Sequence, residues 1–258
     1  MSNFIVRPDP HISLLNLGRP RLSRQELPAP AFLAGRRAVF VADVHLRPSV
    51  LEGWLEALLA QIAAAKPDLL LLGGDYGESP RQSARFFEAL GRLPRPALGA
   101  WGVLGNNDRE CFGEPGELRG VMARAGVRLL VNEWARVPVG GGALAVGGLD
   151  EQKHGVPKES RLFTRCAPGD YRLLLTHYPC WPRIPVDLTL SGHTHGGQVN
   201  LLGLNPFSLR FESDRYPIIK GWAERNGARL LVSQGLGWSK LPLRLGACPE
   251  LHLIEFRA

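Results

Sequence analysis

Three short apolar runs, each ending in a polar cluster and each separated by about one strand–helix unit, constrain what this chain can fold into. Arg37 to Ala42 (RAVFVA) runs into Asp43-Val44-His45, Leu69 to Leu72 (LLLL) into Gly73-Gly74-Asp75, and Ala97 to Leu104 into Gly105-Asn106-Asn107-Asp108. Asp43 and Asp75 are 32 residues apart, and Asp75 and Asn106 are 31 apart. A βαβ unit takes roughly 30 residues or more. Unbroken apolar runs of this length suit strands buried on both faces of a parallel sheet. Ser49 to Ala65 carries Val50, Leu51, Trp54, Leu55, Leu58, Leu59 and Ile62 at helical spacing and stops at Pro67. Ser79-Pro80 opens a second helix with Phe86, Phe87 and Leu90 on its buried side, and Pro115 to Ala125 forms a third before Gly126. Right-handed crossovers then bring the strands' carboxyl ends to one crevice, with Asp43, His45, Asp75 and Asn106 on its rim.

Beyond Val127 to Val131 the helical rhythm fades. Gly140-Gly141-Gly142 joins Arg136 to Val139 with Ala143 to Val146 as a hairpin, and Tyr171 to Thr176 (YRLLLT) is a buried strand delivering His177. Val186 to Leu190 (VDLTL) leads into Ser191 to Gln198, SGHTHGGQ, which sets His193 and His195 one residue apart in a glycine-rich turn. Val199 to Leu202, a loop through Asp214, and strands over Arg229 to Ser233 and Leu251 to Phe256 complete the chain. The polar segment Gly147 to Asp170, with Asp150, Lys153 and His154, reads either as a functional lid or as a surface excursion.

The 258 residues are expected to form one domain over 37–258, with 1–36 as a proline-punctuated arm packing on or extending it. The four cysteines (Cys111, Cys166, Cys180, Cys248) are widely spaced without a CxxC pair, which argues against a zinc knuckle or a disulfide framework and suits a reducing compartment. The arm has no continuous apolar core, and no segment approaches the length of a membrane span, so the chain reads as soluble and cytoplasmic. A net charge of +7 comes almost wholly from 26 arginines scattered with no run longer than Arg36-Arg37. That distribution favours a solvated basic surface over a nucleic-acid groove.

Asp43, His45, Asp75, Asn106, His177, His193 and His195 all stand at predicted strand ends. Each alone has an ordinary explanation as a turn, cap or packed residue. Together, carboxylate, imidazole and amide donors without thiolates suit Mn²⁺, Fe or Zn²⁺ rather than a structural zinc centre. Seven ligands exceed one tetrahedral ion, whereas a pair sharing a carboxylate uses them all. Two metals about 3.5–4 Å apart are a standard device for in-line displacement at phosphorus.

With Asp43-x-His45, Gly74-Asp75, Gly105-Asn106, His177 and Gly192-His193-x-His195 in view, the chain from residue 38 onward resembles the calcineurin-like metallophosphoesterases. The GHTHGGQ run, with Ser233 to Gly237 (SQGLG) and Leu241 to Gly246 (LPLRLG), resembles their bacterial YkuE/YaeI-like branch. The resemblance implies a four-layer α/β/β/α sandwich of two mixed sheets. It also implies one metal held by Asp43, His45, Asp75 and His195, a second held by Asp75, Asn106, His177 and His193, and Asp75 as the bridging, catalytically essential carboxylate. Manganese is the first expectation, with iron, zinc or magnesium as alternatives, and a hydroxide shared by the ions would attack phosphorus.

The family's third motif usually reads G-N-H-D, and here Asn107 takes the histidine's place. Asparagine donates a hydrogen bond but transfers no proton at neutral pH, so about 10²–10⁴-fold of general acid catalysis is missing from that position. Three readings follow. The leaving group is a good one, as in a diphosphate; His154 supplies the acid; or the protein retains metal and binds a phosphorylated ligand with poor turnover. The first connects by analogy with the UDP-diacylglucosamine pyrophosphohydrolases of lipid A synthesis, where this position also departs from histidine. The expected activity is thus hydrolysis of a phosphodiester or diphosphate bond in a small or lipid-linked substrate, with nucleic acid as a less favoured partner. Asn107, Arg109 and Arg81 are candidates for substrate contact, and Arg244 lies near another motif; salt pairing is the commoner fate of such arginines. Trp222, Leu236, Trp238 and Leu241 read as a packed lid beside the site, with an acyl-chain groove or peripheral membrane patch as the alternative.

Overall fold

The computed structural model describes residues 20–50, 52–199, 216–240 and 242–258. The chain begins with β1 (Arg21–Pro28), β2 (Arg37–Val41), α1 (Glu52–Ala65), β3 (Leu69–Leu72), α2 (Pro80–Leu90), β4 (Ala100–Gly102), α3 (Asn106–Phe112), α4 (Pro115–Arg124) and β5 (Val127–Leu129). It continues through β6 (Glu133–Val139), β7 (Gly142–Gly148), β8 (Tyr171–Leu175), β9 (Leu188–Ser191), β10 (Gly221–Arg225), β11 (Ala228–Val232) and β12 (Glu250–Arg257).

Two mixed six-stranded sheets result. The first has the order β1-β12-β2-β3-β4-β5 and the second β10-β11-β9-β8-β7-β6. In the first, β2 to β5 run parallel and β12 lies antiparallel to β2. In the second, β7, β8, β9 and β11 are parallel and are flanked by the antiparallel edge strands β6 and β10.

Side chains alternate across a strand, so a fully apolar run can serve two cores at once. In the LLLL run of β3, Leu69 and Leu71 enter the layer between the sheets, while Leu70 and Leu72 pack beneath the helices. In β2, Ala38 and Phe40 face the second sheet and Val39 and Val41 the helices. Helix α1 buries Leu55, Leu58, Leu59 and Ile62 on that outer face, α2 adds Phe86, Phe87 and Leu90, and α4 adds Leu118, Val121 and Met122. The inter-sheet core is completed by Leu144, Val146, Leu173, Leu175, Leu188, Leu190 and Leu231 from the second sheet. Leu174 points the other way and meets Leu162, Val186, Trp134 and Phe163. Among the described residues the helical part of this last layer is the 3-10 turn Glu159–Arg161.

Three elements escaped the sequence reading. Strand β1 pairs in parallel with β12 from Arg21 to Pro28, yet its alternation buries only Leu27, so the polar, proline-flanked stretch gave no apolar signal. Strand β10 is a short edge with one buried residue, Ala223. Helix α3 is seven residues of mostly polar sequence between Gly105 and Gly113. Of the Val199 to Leu202 expectation, Val199 bridges Leu245 and the remainder lies outside the described residues, as does Asp214. Leu236 is buried in the helix-side core, Trp222 packs against the inter-sheet core, and Trp238 lies under the Arg47 guanidinium, 5.3 Å from its ring centre. These three are packed residues, and Leu241 lies outside the described residues.

Candidate metal centre

Both sheets deliver their strand ends to one place. Asp43 and His45 follow β2, Asp75 follows β3, and Asn106 opens α3 directly after β4. His177 follows β8, and His193 and His195 follow β9. Five of these residues have left-handed backbone: Asp43 (φ 52°), His45 (43°), Asp75 (56°), His193 (71°) and His195 (51°). Asp and His tolerate this region better than most residues, but each instance still costs energy and persists only where its surroundings dictate it. Here the Asp43 N–H donates to Gly74 O at 3.0 Å and the His45 N–H to Asp75 O at 2.9 Å, so the two post-strand loops lock each other. Close approach does the rest. A Cβ at Gly105 would overlap the Asp75 carboxylate, and one at Gly235, itself at φ 66°, would lie 2.6 Å from Asp43 Cβ.

Asp75 Oδ2 lies 3.3 Å from His45 Nε2 and 3.4 Å from His177 Nε2, between imidazoles supplied by different sheets. His177 Nδ1 faces Gly73 O at 2.8 Å; the carbonyl can only accept, so Nδ1 carries a proton, and in the neutral ring Nε2 turns its lone pair toward the centre. Asn106 Oδ1 is 3.2 Å from His177 Nε2 and 3.1 Å from His193 Nδ1, and those two nitrogens are 3.2 Å apart. The His193 backbone N–H donates to both oxygens of Asp43 at 3.0 Å. In each of two sets of donors, Asp43/His45/His195 and Asp43/Asp75/His177, the ligand atoms all lie within 4.8 Å of one another.

The charges of the site act strongly on one another. Burial pushes His45 and His177 toward the neutral form, but the adjacent Asp75 carboxylate, with Glu78 added for His45, wins and raises them to about 10 and about 9. Burial likewise acts to raise Asp75, and the same two histidines overcome it, holding that carboxyl well below its usual range. Asp43 is raised, by burial first and the nearby Asp75 charge. His195 is pushed well down by burial and by the cationic His45 and Arg244. Protons on the histidines thus occupy the place that cations would take. His45 Nε2 is fully buried and makes no hydrogen bond of good geometry. An inward-facing, orphaned imidazole nitrogen beside paired carboxylates fits divalent metal, and the donor set contains no sulfur.

Several supporting residues take roles that the sequence reading did not assign, Arg244 among them, which was weighed there only beside Arg81 and Arg109. Glu78 Oε1 sits 2.5 Å from His45 Nδ1 and 3.0 Å from Arg47, orienting the ring as carboxylates do for metal-binding histidines. Asp108, fully buried, accepts the backbone N–H groups of Asp75 (2.7 Å), Gly105 (2.8 Å) and Tyr76 (3.1 Å), tying the β3 and β4 loops together. Arg244, 2% exposed, donates to the carbonyls of Gly237 (2.7 Å) and Gln234 (2.8 Å) and lies 3.1 Å from His195 Nδ1. Tyr178 packs against His193 with ring centres 3.9 Å apart and planes tilted by 35°. An acidic residue two places after Asn106 was the available signal for Asp108; nothing local marked Glu78 or Arg244 as partners of particular histidines.

The candidates for catalysis and substrate contact separate in space. A cavity of about 450 Å³ opens over the centre, and Asn107, Glu110, Lys153, Gln198, Ser239 and Lys240 join the ligands in lining it. Asn107 donates its backbone N–H to Asp75 Oδ1 at 2.8 Å and its side-chain amide to Gly77 O at 2.7 Å. His154 is not among the lining residues; its Nε2 lies 3.0 Å from Glu110 Oε1. Arg109 is absent from the lining too and donates to both oxygens of Asp150 at 3.0 Å. Arg81 is an exposed residue in the first turn of α2, also outside the lining. No helix among the described residues is long and apolar enough to cross a membrane.

Comparison with known proteins agrees with this geometry. The family model for calcineurin-like phosphoesterases matches residues 36–197. The chain is 30% identical to the uncharacterized protein YpbG of Bacillus subtilis over 220 residues, covering 83% of this chain and 78% of that one. It is 31% identical to the phosphodiesterase YaeI of Escherichia coli, covering 85% and 81%, and 27% identical to the metallophosphoesterase YkuE of B. subtilis, covering 87% and 80%. With its strand-end aspartates and histidines gathered at one centre and its similarity to these bacterial proteins, the chain belongs to the calcineurin-like phosphoesterases, a family of metal-dependent phosphoric ester hydrolases.

Proposed function

We propose that the chain hydrolyses a phosphodiester or diphosphate bond at a dinuclear metal centre, with Asp75 as the shared ligand. One observation carries the reading: Asp75 Oδ2 lies within 3.4 Å of imidazole nitrogens from both sheets, which supports a single carboxylate shared between both halves of the donor set. Asp43, His45 and His195 would complete one half, and Asn106, His177 and His193 the other. Two divalent ions held there, manganese by preference, would lower the pKa of water and neutralise phosphoryl oxygens. The protein's own contribution is positional. Glu78 and the Gly73 carbonyl aim the two histidines at the centre, and Asp108 holds the loops that carry Asp75 and Asn106. Asn107, whose amide is committed to Gly77, keeps its place beside Asp75 but moves no proton. Substrates whose leaving oxygen needs no protonation, diphosphates and activated diesters, are therefore favoured over alkyl monoesters. The name of the E. coli relative, a phosphodiesterase, agrees with the diester side of this choice.

The test is turnover of bis-p-nitrophenyl phosphate, p-nitrophenyl phosphate and a nucleoside diphosphate-sugar by metal-stripped protein refilled with Mn²⁺. Diester or diphosphate hydrolysis exceeding monoester hydrolysis supports the proposal. A strong preference for the monoester, or metal uptake with no turnover of any substrate, counts against it.

A further inference from the structure

We propose that Lys153 is the residue that meets the leaving-group oxygen, so that the substrate class is one whose leaving portion departs as an anion, a second phosphate or an acidic hydroxyl. This rests on the hydrolase reading above and narrows it.

The loop after β7 is a built structure. Asp150 and Glu151 are 5% and 1% exposed, and their carboxylates gather the loop's own amides. Asp150 accepts from Glu151 N and Val156 N at 3.0 Å, and Glu151 accepts from Lys153 N at 2.7 Å and His154 N at 2.6 Å. Arg109 of α3 closes the arrangement by binding Asp150. Two buried carboxylates spent on four backbone amides and one guanidinium hold the Lys153 backbone in place against α3.

Lys153 Nζ then lies 2.5 Å from Glu110 Oε1, one helical turn beyond Asn107, and Lys153, Glu110 and Asn107 line the cavity together. Of the candidate ligands, His45, Asp75, Asn106, His193 and His195 line the same cavity. In-line displacement puts the leaving oxygen on the side of phosphorus opposite the attacking oxygen, so with attack from the ligand set it departs toward lining residues outside that set. Of those, Asn107 spends one of its two amide N–H groups on Gly77 and carries no charge to meet an anion, and His154 touches Glu110 from outside the lining. Lys153 and Lys240 are the lysines of the lining, and Lys153 is the one held by a carboxylate of α3, the helix that Asn106 opens. An ammonium has three donors, so the bond to Glu110 leaves others for substrate.

In the step itself, an oxygen from water bonds to phosphorus and the bond from phosphorus to the leaving oxygen breaks, with its electron pair departing on that oxygen. Lys153 donates a hydrogen bond to the new anion and keeps its proton, and the proton from water is released to solvent.

The experiment compares wild type, Lys153→Met and Lys153→Arg, each loaded with Mn²⁺, on thymidine 5′-aryl phosphate diesters whose phenols span a range of acidity. Lys153 is 54% exposed at its side chain, so both variants are expected to fold. For the least acidic phenol, Lys153→Met is expected to lose about 10- to 100-fold in kcat, the scale of a charge-assisted hydrogen bond, with the loss shrinking as the phenol becomes more acidic and Lys153→Arg keeping most of the activity. In calorimetry, Lys153→Met should weaken α,β-methylene-ADP binding while sparing orthophosphate. A loss that is uniform across the series, or no loss, overturns the assignment to Lys153 while wild-type turnover leaves the hydrolase reading standing. Absence of wild-type turnover even on the most acidic ester overturns both.

Discussion

Removing Asp108 isolates the scaffold of the site from its ligands, because this carboxylate touches no candidate metal position directly. Its Oδ2 accepts from Asp75 N (2.7 Å) and Gly105 N (2.8 Å) and its Oδ1 from Tyr76 N (3.1 Å), all inside the protein. Asp108→Ala leaves three buried N–H groups unpaired at about 1–3 kcal/mol each, which sets a loss of at least about 3 kcal/mol. Asp108→Asn keeps one acceptor oxygen; placed on Asp75 and Gly105 it orphans only Tyr76 N, a cost of about 1–3 kcal/mol. Part of that is offset, since burial and the nearby Asp75 charge raise the Asp108 carboxyl to about 7, and a neutral amide removes that repulsion. Thermal unfolding of the metal-free protein should therefore rank wild type, then Asn, then Ala, with the Ala midpoint lower by at least about 6 °C at roughly 2–4 °C per kcal/mol. Because the same bonds fix the loops of Asp75 and Asn106, manganese affinity should fall in the same order. An alanine variant within 1 kcal/mol of wild type, or one destabilised with manganese affinity intact, would refute the reasoning.

Glu78→Gln should weaken manganese binding about 10- to 100-fold with little change in the unfolding midpoint, because a carboxylate behind a ligating histidine tunes the ligand more than the fold; equal affinity by calorimetry would contradict its role. Gly235→Ala forces a Cβ to 2.6 Å from Asp43 Cβ at φ 66°, so it should destabilise by more than about 1 kcal/mol and depress metal uptake, both read from unfolding with and without Mn²⁺. For the metal-free protein, the raised His177 and His45 contribute stability that is complete below pH 6.5 and is lost as pH climbs through about 9 and about 10. The raised Asp43 and Asp108 act in the same sense at lower pH, since the folded state holds protons that the unfolded state has released. Its unfolding midpoint should fall from pH 6 to pH 10, and saturating Mn²⁺ should flatten the trend; a metal-free midpoint that rises over this range would contradict the proton-for-metal account.

What could be read from sequence followed signal strength. The LLLL run, the helical stripe of Leu55, Leu58, Leu59 and Ile62, and the Ser79-Pro80 start were legible because burial on two faces, a 3.6-residue period and a proline at the first helical turn leave local marks. The ligand cluster was legible because each member ends a strand and the crossover spacing sends those ends to one rim. Strand β1 was hidden because an edge strand needs little apolar sequence, and α3 because seven residues give no period. Arg109 looked like a phosphate contact from its place beside Asn107, but its partner is Asp150, 41 residues away, a pairing no local pattern encodes. Glu78 and Arg244 likewise take their meaning from His45 and His195 across the fold.

The central claim is that one centre holds two metals through Asp75. Calorimetric titration of metal-free protein with Mn²⁺, together with electron paramagnetic resonance of the loaded sample, tests it directly. The account predicts two ions per chain with the multiline signal of an exchange-coupled pair, and in Asp75→Asn the loss of that coupling with at most one tightly bound ion. A wild type that saturates at one ion, or two ions showing no coupling, would contradict it.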